Sequence, residues 1–218
     1  MYSRPVLRDG ARTATPSRVD AAGALLDAAE RLIDREGLAS LTTRRVAREA
    51  DLNPGLVHYH YTSIDGLCAA VVSRVSARLM DQQRRIFATD HPFAEQWRLA
   101  TKPLRGGPGR RNMKVWSEFA VAAVNRDALA PTMRDVNTEW RRIVEEALRR
   151  ECDRCGREPG TTPIEALAAL ATVVLKGLYL EHLQDFHTGH AELLALADQF
   201  NDALAAGLGL FDQPPLSK

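Results

Sequence analysis

Two helix-start signals stand close together near the N-terminus, Thr42 ahead of Thr43-Arg44-Arg45-Val46-Ala47 and Asn53-Pro54 ahead of Gly55-Leu56-Val57. A Thr hydroxyl or an Asn carbonyl accepts from the free N–H groups of a first helical turn, and Pro at the first helical position sacrifices no bond. Asp51-Leu52-Asn53 reads as a tight turn between them, and Thr62-Ser63-Ile64-Asp65 opens the next helix, so both helices are very short. Helices of that length do not stand alone in water and must lean on longer neighbours. Those neighbours are present. Ala22, Leu25, Leu26, Ala29, Leu32 and Ile33 fall at helical spacing in a first helix read over 18–36, weakly capped by Ser17 and Asp20 and stopped by a left-handed Gly37. Leu67, Val71, Val75 and Leu79 stripe a fourth helix that runs to about Arg85. Three helices of unequal length, the second and third joined by a short turn, make a helix-turn-helix unit.

Downstream the 3.6-residue period persists and no stretch reads as strand. Helices are expected near 92–104, 110–125, 131–151, 163–186 and 190–208, with a capping box and first-position Pro at Thr162-Pro163-Ile164-Glu165 and a break at Gly106-Gly107-Pro108-Gly109. The fold class is therefore all-α: an N-terminal helix-turn-helix domain followed by a C-terminal helical bundle. The expected division is a basic arm over 1–16 with Arg4, Arg8 and Arg12, the helix-turn-helix over 17–62, the bundle over 63–210 and a tail over 211–218.

Charge and cysteine narrow the class. Lys+Arg 29 against Asp+Glu 28 is not the balance of a protein that coats nucleic acid everywhere, and 45% apolar residues exclude wholesale disorder. Three unevenly spaced cysteines do not form a secreted disulfide framework and favour a reducing compartment. Met1–Ala22 lacks the apolar run of a signal peptide, and Glu165, Thr172 and Lys176 interrupt the most apolar region. A cytoplasmic location is expected.

A helix-turn-helix works on DNA by presenting its third helix, N-terminus first, to the major groove while the second lies across the backbone. Pro54 and Gly55 give a low tip, and the free N–H groups of the helix start attract anions. With Val57 and Tyr61 inward, His58, Tyr59 and His60 point outward, and Thr42, Thr43, Arg44, Arg45 and Arg48 lie where phosphates would pass.

The run from Leu41 through Ala47, Asn53-Pro54-Gly55 and His58-Tyr59-His60-Tyr61 to Ser63 resembles the N-terminal DNA-binding domain of the TetR family of transcriptional regulators, over about Ala22 to Val72. The resemblance implies a homodimeric repressor that binds a two-fold double-stranded DNA operator and is released by a small-molecule effector. It places phosphate contacts on Thr42, Tyr59 and His60, and base or groove contacts on Arg44, Asn53, Pro54, Gly55 and His58, with Thr43 beside them. Two positions depart from the pattern. His58 stands where the family usually has Tyr, and Ile64 where a phosphate-binding Lys is common.

In the bundle, the helix read over 163–186 is apolar on more than one side and needs a second cover. With the stripe of the last helix it suggests a dimer interface of Leu170, Val174, Leu193, Leu196, Phe200 and Leu204. Phe93, Trp97, Met113, Trp116, Phe119, Met133 and Trp140 are expected to line an effector pocket, with Glu181 as a polar anchor and Glu118 and Asn137 as further candidates. The stretch from Trp116 to Arg134, with Gly177-Leu178-Tyr179-Leu180, is similar to the family's choline-responsive branch, which does not name the effector. Cys152 and Cys155 have metal-ligand spacing without a second pair, and His182, His187 and His190 bracket a turn with Asp185; no metal and no cofactor are expected. No catalytic constellation is present, so an enzyme is not expected. The rival reading is a dimeric helical ligand-binding or partner-binding protein that does not use DNA.

Overall fold

The computed structural model describes residues 18–105, 110–156 and 163–206, and among them the regular structure is helical throughout. The arginine arm, Ser17, the Gly106–Gly109 break, Thr162 and the C-terminal tail lie outside the described residues. The helices are α1 (Arg18–Glu36), α2 (Thr43–Glu49), α3 (Gly55–Tyr61), α4 (Ile64–Phe87), α5 (Phe93–Thr101), α6 (Arg110–Ala122), α7 (Ala130–Arg154), α8 (Ile164–Leu183) and α9 (His190–Ala205).

The short helices begin where polar side chains replace missing backbone partners. Thr42 is extended and its Oγ1 accepts from the Arg45 N–H at 3.3 Å. Asn53 Oδ1 accepts from the Gly55 N–H at 2.8 Å, while Pro54 already has helical angles, so α3 starts one residue later than expected with the same cap. Ser63 Oγ accepts from the Gly66 N–H at 3.0 Å and opens α4. Gly37 has φ 82 but ψ 166, so α1 stops at a positive-φ glycine that leaves the helix extended and not in the left-handed helical region expected. A Cβ there would also stand 3.3 Å from Glu118 Oε1. At α8 the first helical residue is Ile164, and Pro163 precedes it with no side-chain cap. The helix ends at Leu183, earlier than expected, because Asp185 at φ 57 and Gly189 at φ 79 turn the chain toward α9.

α4 is the spine. Leu67, Val71, Val75 and Leu79 are buried as the stripe requires, and α4 packs against α1 and α3 at one end and α6 and α7 further along. α8 lies on α7, and α9 lies on α5, where Arg98 NH2 donates to Asp202 at 2.6 Å. The inward side of α9 is Leu194, Asn201 and Leu204, whereas Leu193 and Leu196 of the expected stripe face out. The buried Glu151 carboxylate on α7 accepts from the Phe93 N–H at 3.0 Å, satisfying the first turn of α5, and from Arg154 NH1 at 2.8 Å.

Among the described residues no helix is long and apolar enough to cross a membrane. Cys68 and Cys152 are buried, Cys155 is half-buried, and burial pushes the Cys68 thiol up to about 11. Thiolate is the reactive form. Iodoacetamide at neutral pH is therefore expected to leave Cys68 unmodified in the folded protein and to alkylate Cys155 first. Mass spectrometry of tryptic peptides checks this, and rapid labelling of Cys68 would contradict its placement.

Candidate nucleic-acid interface and the bundle behind it

α3 has one anchored face and one open face. Val57 is fully buried, and the Tyr61 hydroxyl donates to the Ala22 carbonyl at 2.8 Å, pinning α3 to α1. On the other side Asn53, Pro54, Gly55, His58 and Tyr59 are exposed, and His60 is half-buried with its ring edge-on to Tyr59 at 4.9 Å. His58 Nδ1 lies 3.0 Å from the Thr62 carbonyl oxygen. A carbonyl can only accept, so Nδ1 carries the proton and Nε2 of the neutral ring is left as the acceptor.

Charge around α2 is arranged more sharply than its sequence count. Glu49 is held by Arg31 at 3.0 Å and Arg35 at 3.0 Å, and Arg35 foremost keeps its carboxyl down at about 2. Glu36 pairs with Arg45 and Arg35, which depress its pKa. Arg45, counted in the sequence with the phosphate-facing cations, thus ties α2 to α1. Arg44 and Arg48 are exposed, and among the described residues no carboxylate pairs with either. Thr42 is exposed beside them and Thr43 is half-buried. Ile64 packs partly against the core at the start of α4, offering no donor.

Behind this surface the reading element is tied down twice. On α1, the nearly buried Glu30 accepts from Arg74 Nε at 2.7 Å and Arg78 NH2 at 2.6 Å, both on α4. From α6, Glu118 Oε2 accepts from the Leu38 N–H at 3.2 Å, Lys114 donates to the Asp34 carbonyl, and Arg111 lies 3.5 Å from the Asp34 carboxylate. Glu118, expected as a pocket anchor, belongs to this seam between α6 and the end of α1, where it lines an open cleft of about 1030 Å³ with Arg111, Lys114 and Leu180.

The aromatic residues of the bundle are distributed unlike the single pocket expected. Trp97, Met113, Trp116, Phe119, Met133 and Trp140 are all buried. A groove of about 240 Å³ opens between α5, α7, α8 and α9, and of the residues expected to share one cavity Phe93 and Trp97 line it. The same groove is lined by Leu170, Val174, Leu193, Leu196, Phe200 and Leu204, the residues read as a dimer interface. Met113 and Trp140 border a separate void of about 20 Å³ beside Gln83, while Trp116, Phe119 and Met133 line neither. Glu181 lies 2.7 Å from His190 Nε2 at the α8–α9 corner and also lines neither. There the His187 ring is tilted against that of His182 at 5.0 Å and meets that of His190 edge to face at 5.8 Å, and among the described residues no group of three or more His, Cys, Asp or Glu is arranged to hold a metal ion.

Sequence reasoning missed the Glu30 triad and Lys176. Arg74 and Arg78 one turn apart on an otherwise inward-facing helix were a signal for the first, and a lone lysine in an Ala-, Leu- and Val-rich helix was a signal for the second.

Two family models match the chain. One, described as bacterial regulatory proteins, tetR family, covers residues 25–71, and the other, described as BetI-type transcriptional repressor, C-terminal, covers residues 102–206. A Haemophilus influenzae protein described as an uncharacterized HTH-type transcriptional regulator is 30% identical over 86 residues, 39% of this chain and 46% of that protein, so the match spans less than half of the relative. A solved transcriptional regulator from Rhodococcus sp. Rha1 superposes with a TM-score of 0.65 at 22% identity, over 89% of this chain and 99% of that one. Salmonella enterica GusR gives 0.66 at 14% identity over 91% and 98%. At these identities the two structures speak for the fold alone: a helix-turn-helix joined to a helical bundle.

Proposed function

The chain belongs to the TetR family of transcriptional regulators, and from that premise we propose that it is a repressor, a homodimer that grips a two-fold DNA operator through α3 and releases it when a small molecule enters the bundle. Residues 17–62 are the DNA-binding part, 63–210 the regulatory and dimerisation part, and the site of action is the cytoplasm, where the DNA lies. The observation that carries this reading is the open face of α3, with Asn53, Gly55, His58 and Tyr59 exposed in a row and alongside them the exposed cations Arg44 and Arg48, which no carboxylate among the described residues pairs. That is the surface a recognition helix needs: hydrogen-bonding tips for base edges in the middle and cations for phosphates at the margin.

Roles divide by chemistry. His58, with Nε2 as its acceptor, reads a base-edge amino group. Thr42 caps α2 and meets a phosphate, and Arg44 and Arg48 supply counter-charge. The effector acts through α4, which carries α3 at its start and borders α6 and α7 further along. Shifting α4 takes the two recognition helices off the roughly 34 Å spacing of one DNA turn.

The test is fluorescence anisotropy with DNA flanking the protein's own gene. Binding is expected to be sequence-selective and to weaken steeply with salt, with the slope falling by about one on Arg44→Ala and again on Arg48→Ala. Thr42→Ala, which loses a cap worth about 1 kcal/mol, weakens every sequence alike by about fivefold. His58→Ala changes which operator is preferred. Equal loss on every sequence for both variants contradicts the assigned roles. A shift without salt or sequence dependence points instead to a dimeric ligand-binding or partner-binding protein that does not use DNA.

A further inference from the structure

The bundle contains a corner of unmet hydrogen-bond donors. Lys176 stands two-thirds of the way along α8, and its ammonium is drawn inward: Nζ donates to Asn137 Oδ1 at 2.7 Å and lies 5.9 Å from the ring centroid of Trp116 and 5.3 Å from that of Trp140. The two indoles meet edge to face with centroids 6.1 Å apart, and the Nε1–H of each is buried with no hydrogen-bond partner among the described residues. Among the described residues no carboxylate lies within ion-pair distance of Lys176, and burial, with the like charge of Arg141 second, lowers the lysine's pKa. One helix away on α4, the buried Gln83 Oε1 is also without a partner, at a void of about 20 Å³ bordered by Trp140, Met113, Met80, Leu79 and Tyr179.

Buried donors are matched in folded proteins with few exceptions, because each unmet group loses its hydration and gains nothing. A half-buried ammonium with two unsatisfied indole donors and no counter-ion is a neighbourhood built for an acceptor. Trp140 joins this corner to the void, whose walls mix apolar Leu79, Met80 and Met113 with the polar groups of Gln82, Gln83 and Tyr179, so the acceptor belongs to a mainly apolar molecule that carries few further polar groups.

We propose that Lys176, Trp116 and Trp140 anchor the effector site, and that the effector is a small organic carboxylate on an apolar body. This rests on the reading above that the bundle takes an effector at all. The carboxylate sits against the ammonium and the indole N–H groups, and the body lies among the methionines. A cationic effector is disfavoured by the same geometry, since the Lys176 ammonium already occupies the indole faces. The void of about 20 Å³ is room for a water and meets this corner at Trp140, so binding must widen it toward Lys176 and Trp116. Met80 on α4 and Met113 on α6 are unbranched and movable, and parting α4 from α6 displaces the helix that carries α3.

The test is a tryptophan-fluorescence titration of the full chain with benzoate, phenylacetate and octanoate, with their amides, and with benzyltrimethylammonium, all at fixed ionic strength. At least one carboxylate is expected to give a saturable change, its amide to bind at least tenfold more weakly, and the quaternary ammonium to give none. Lys176→Met and Lys176→Gln are each expected to weaken the carboxylate at least tenfold without lowering thermal stability, and Lys176→Arg to retain most of the binding. Protection of the unaltered protein against heating by the same carboxylate gives a readout that no variant's folding can obscure. The proposal is overturned if no carboxylate saturates or protects, if the ammonium binds as well as the acids, or if the folded Lys176 variants bind like the parent. Operator binding of the ligand-free protein is measured separately. A chain that binds carboxylate but no operator keeps this site and loses the DNA reading; one that binds operator but no carboxylate does the reverse.

Discussion

A chain carrying Glu at both Leu170 and Leu196 is expected to sediment as a monomer and to bind operator at least a hundredfold more weakly than the unaltered protein. Leu170 on α8 is 58% exposed and Leu196 on α9 is 62% exposed, with Val173 at 56% between other apolar neighbours. α8 already buries Leu167, Ala168, Leu175 and Leu178 against its own bundle, so these leucines belong to a second apolar face that the single chain leaves uncovered. A two-fold axis through that face would set each position near its own copy, so the double substitution introduces four carboxylates into one interface, where like charges repel and lose hydration. Within one chain the same side chains face outward, so helical content by circular dichroism should be unchanged. The loss on DNA follows from valency. A dimer holds its second half-site at an effective concentration on the order of millimolar, and a monomer forfeits that advantage entirely. A variant that remains dimeric by sedimentation velocity would remove α8 and α9 from the interface. A monomer with undiminished operator affinity would remove the two-fold operator.

What the sequence made legible follows from how local each feature is. The caps at Thr42, Asn53 and Ser63 act within three residues of themselves, and the inward set Val57 and Leu67 through Leu79 follows helical period alone, so the helix-turn-helix could be read directly. Outward polarity of His58 and Tyr59 followed by subtraction. The bundle was less legible because a buried tryptophan looks the same in a sequence whether it borders a cavity or fills a core. Trp116 and Trp140 took on a distinct character only once Lys176, distant in the chain, was brought over their rings. Charge pairing was the least legible, since Glu118 with the Leu38 N–H and Glu30 with Arg74 join positions far apart along the chain. Arg45, counted with the DNA-facing cations, is met by Glu36 at the end of α1, a pairing only nine residues apart that crosses between two helices and so follows from neither helix's period. The α9 stripe was misread in part because a helix with apolar residues on two sides satisfies a 3.6-residue pattern for either, and contact with α5 chose Leu194 and Leu204 for the inside.

The Glu30 triad shows how that long-range pairing serves the reading surface, and its removal is expected to have the larger effect on stability: Glu30→Ala should cost about 3 kcal/mol. The Glu30 side chain is 9% exposed and holds two guanidinium groups of α4. Without it, Arg74 keeps Asp27 at 2.9 Å, but Asp27 is well exposed, and the buried Arg74 NH2 already lacks a partner. Arg78 is more exposed and can swing into water, which places the estimate at the low end of what breaking a buried pair costs. Replacing the two less exposed members of the triad, Glu30→Met with Arg74→Met, removes the stranded charge, fills the space with apolar atoms and leaves only the more exposed Arg78, so most of the stability lost in Glu30→Ala should return. Operator affinity should not return with it. The triad fixes the angle at which α1, and α3 pinned to α1 through Tyr61, sits on α4, and two methionines pack without specifying that angle. Urea denaturation gives the stability cycle, and anisotropy at fixed salt gives the affinity, expected to stay about tenfold below the parent in the double variant. A single variant within 1 kcal/mol of the parent would mean that water reaches the triad and the pairs contribute as surface pairs do. A double variant that recovers both stability and affinity would mean that apolar packing alone sets the angle between the DNA-binding helices and α4.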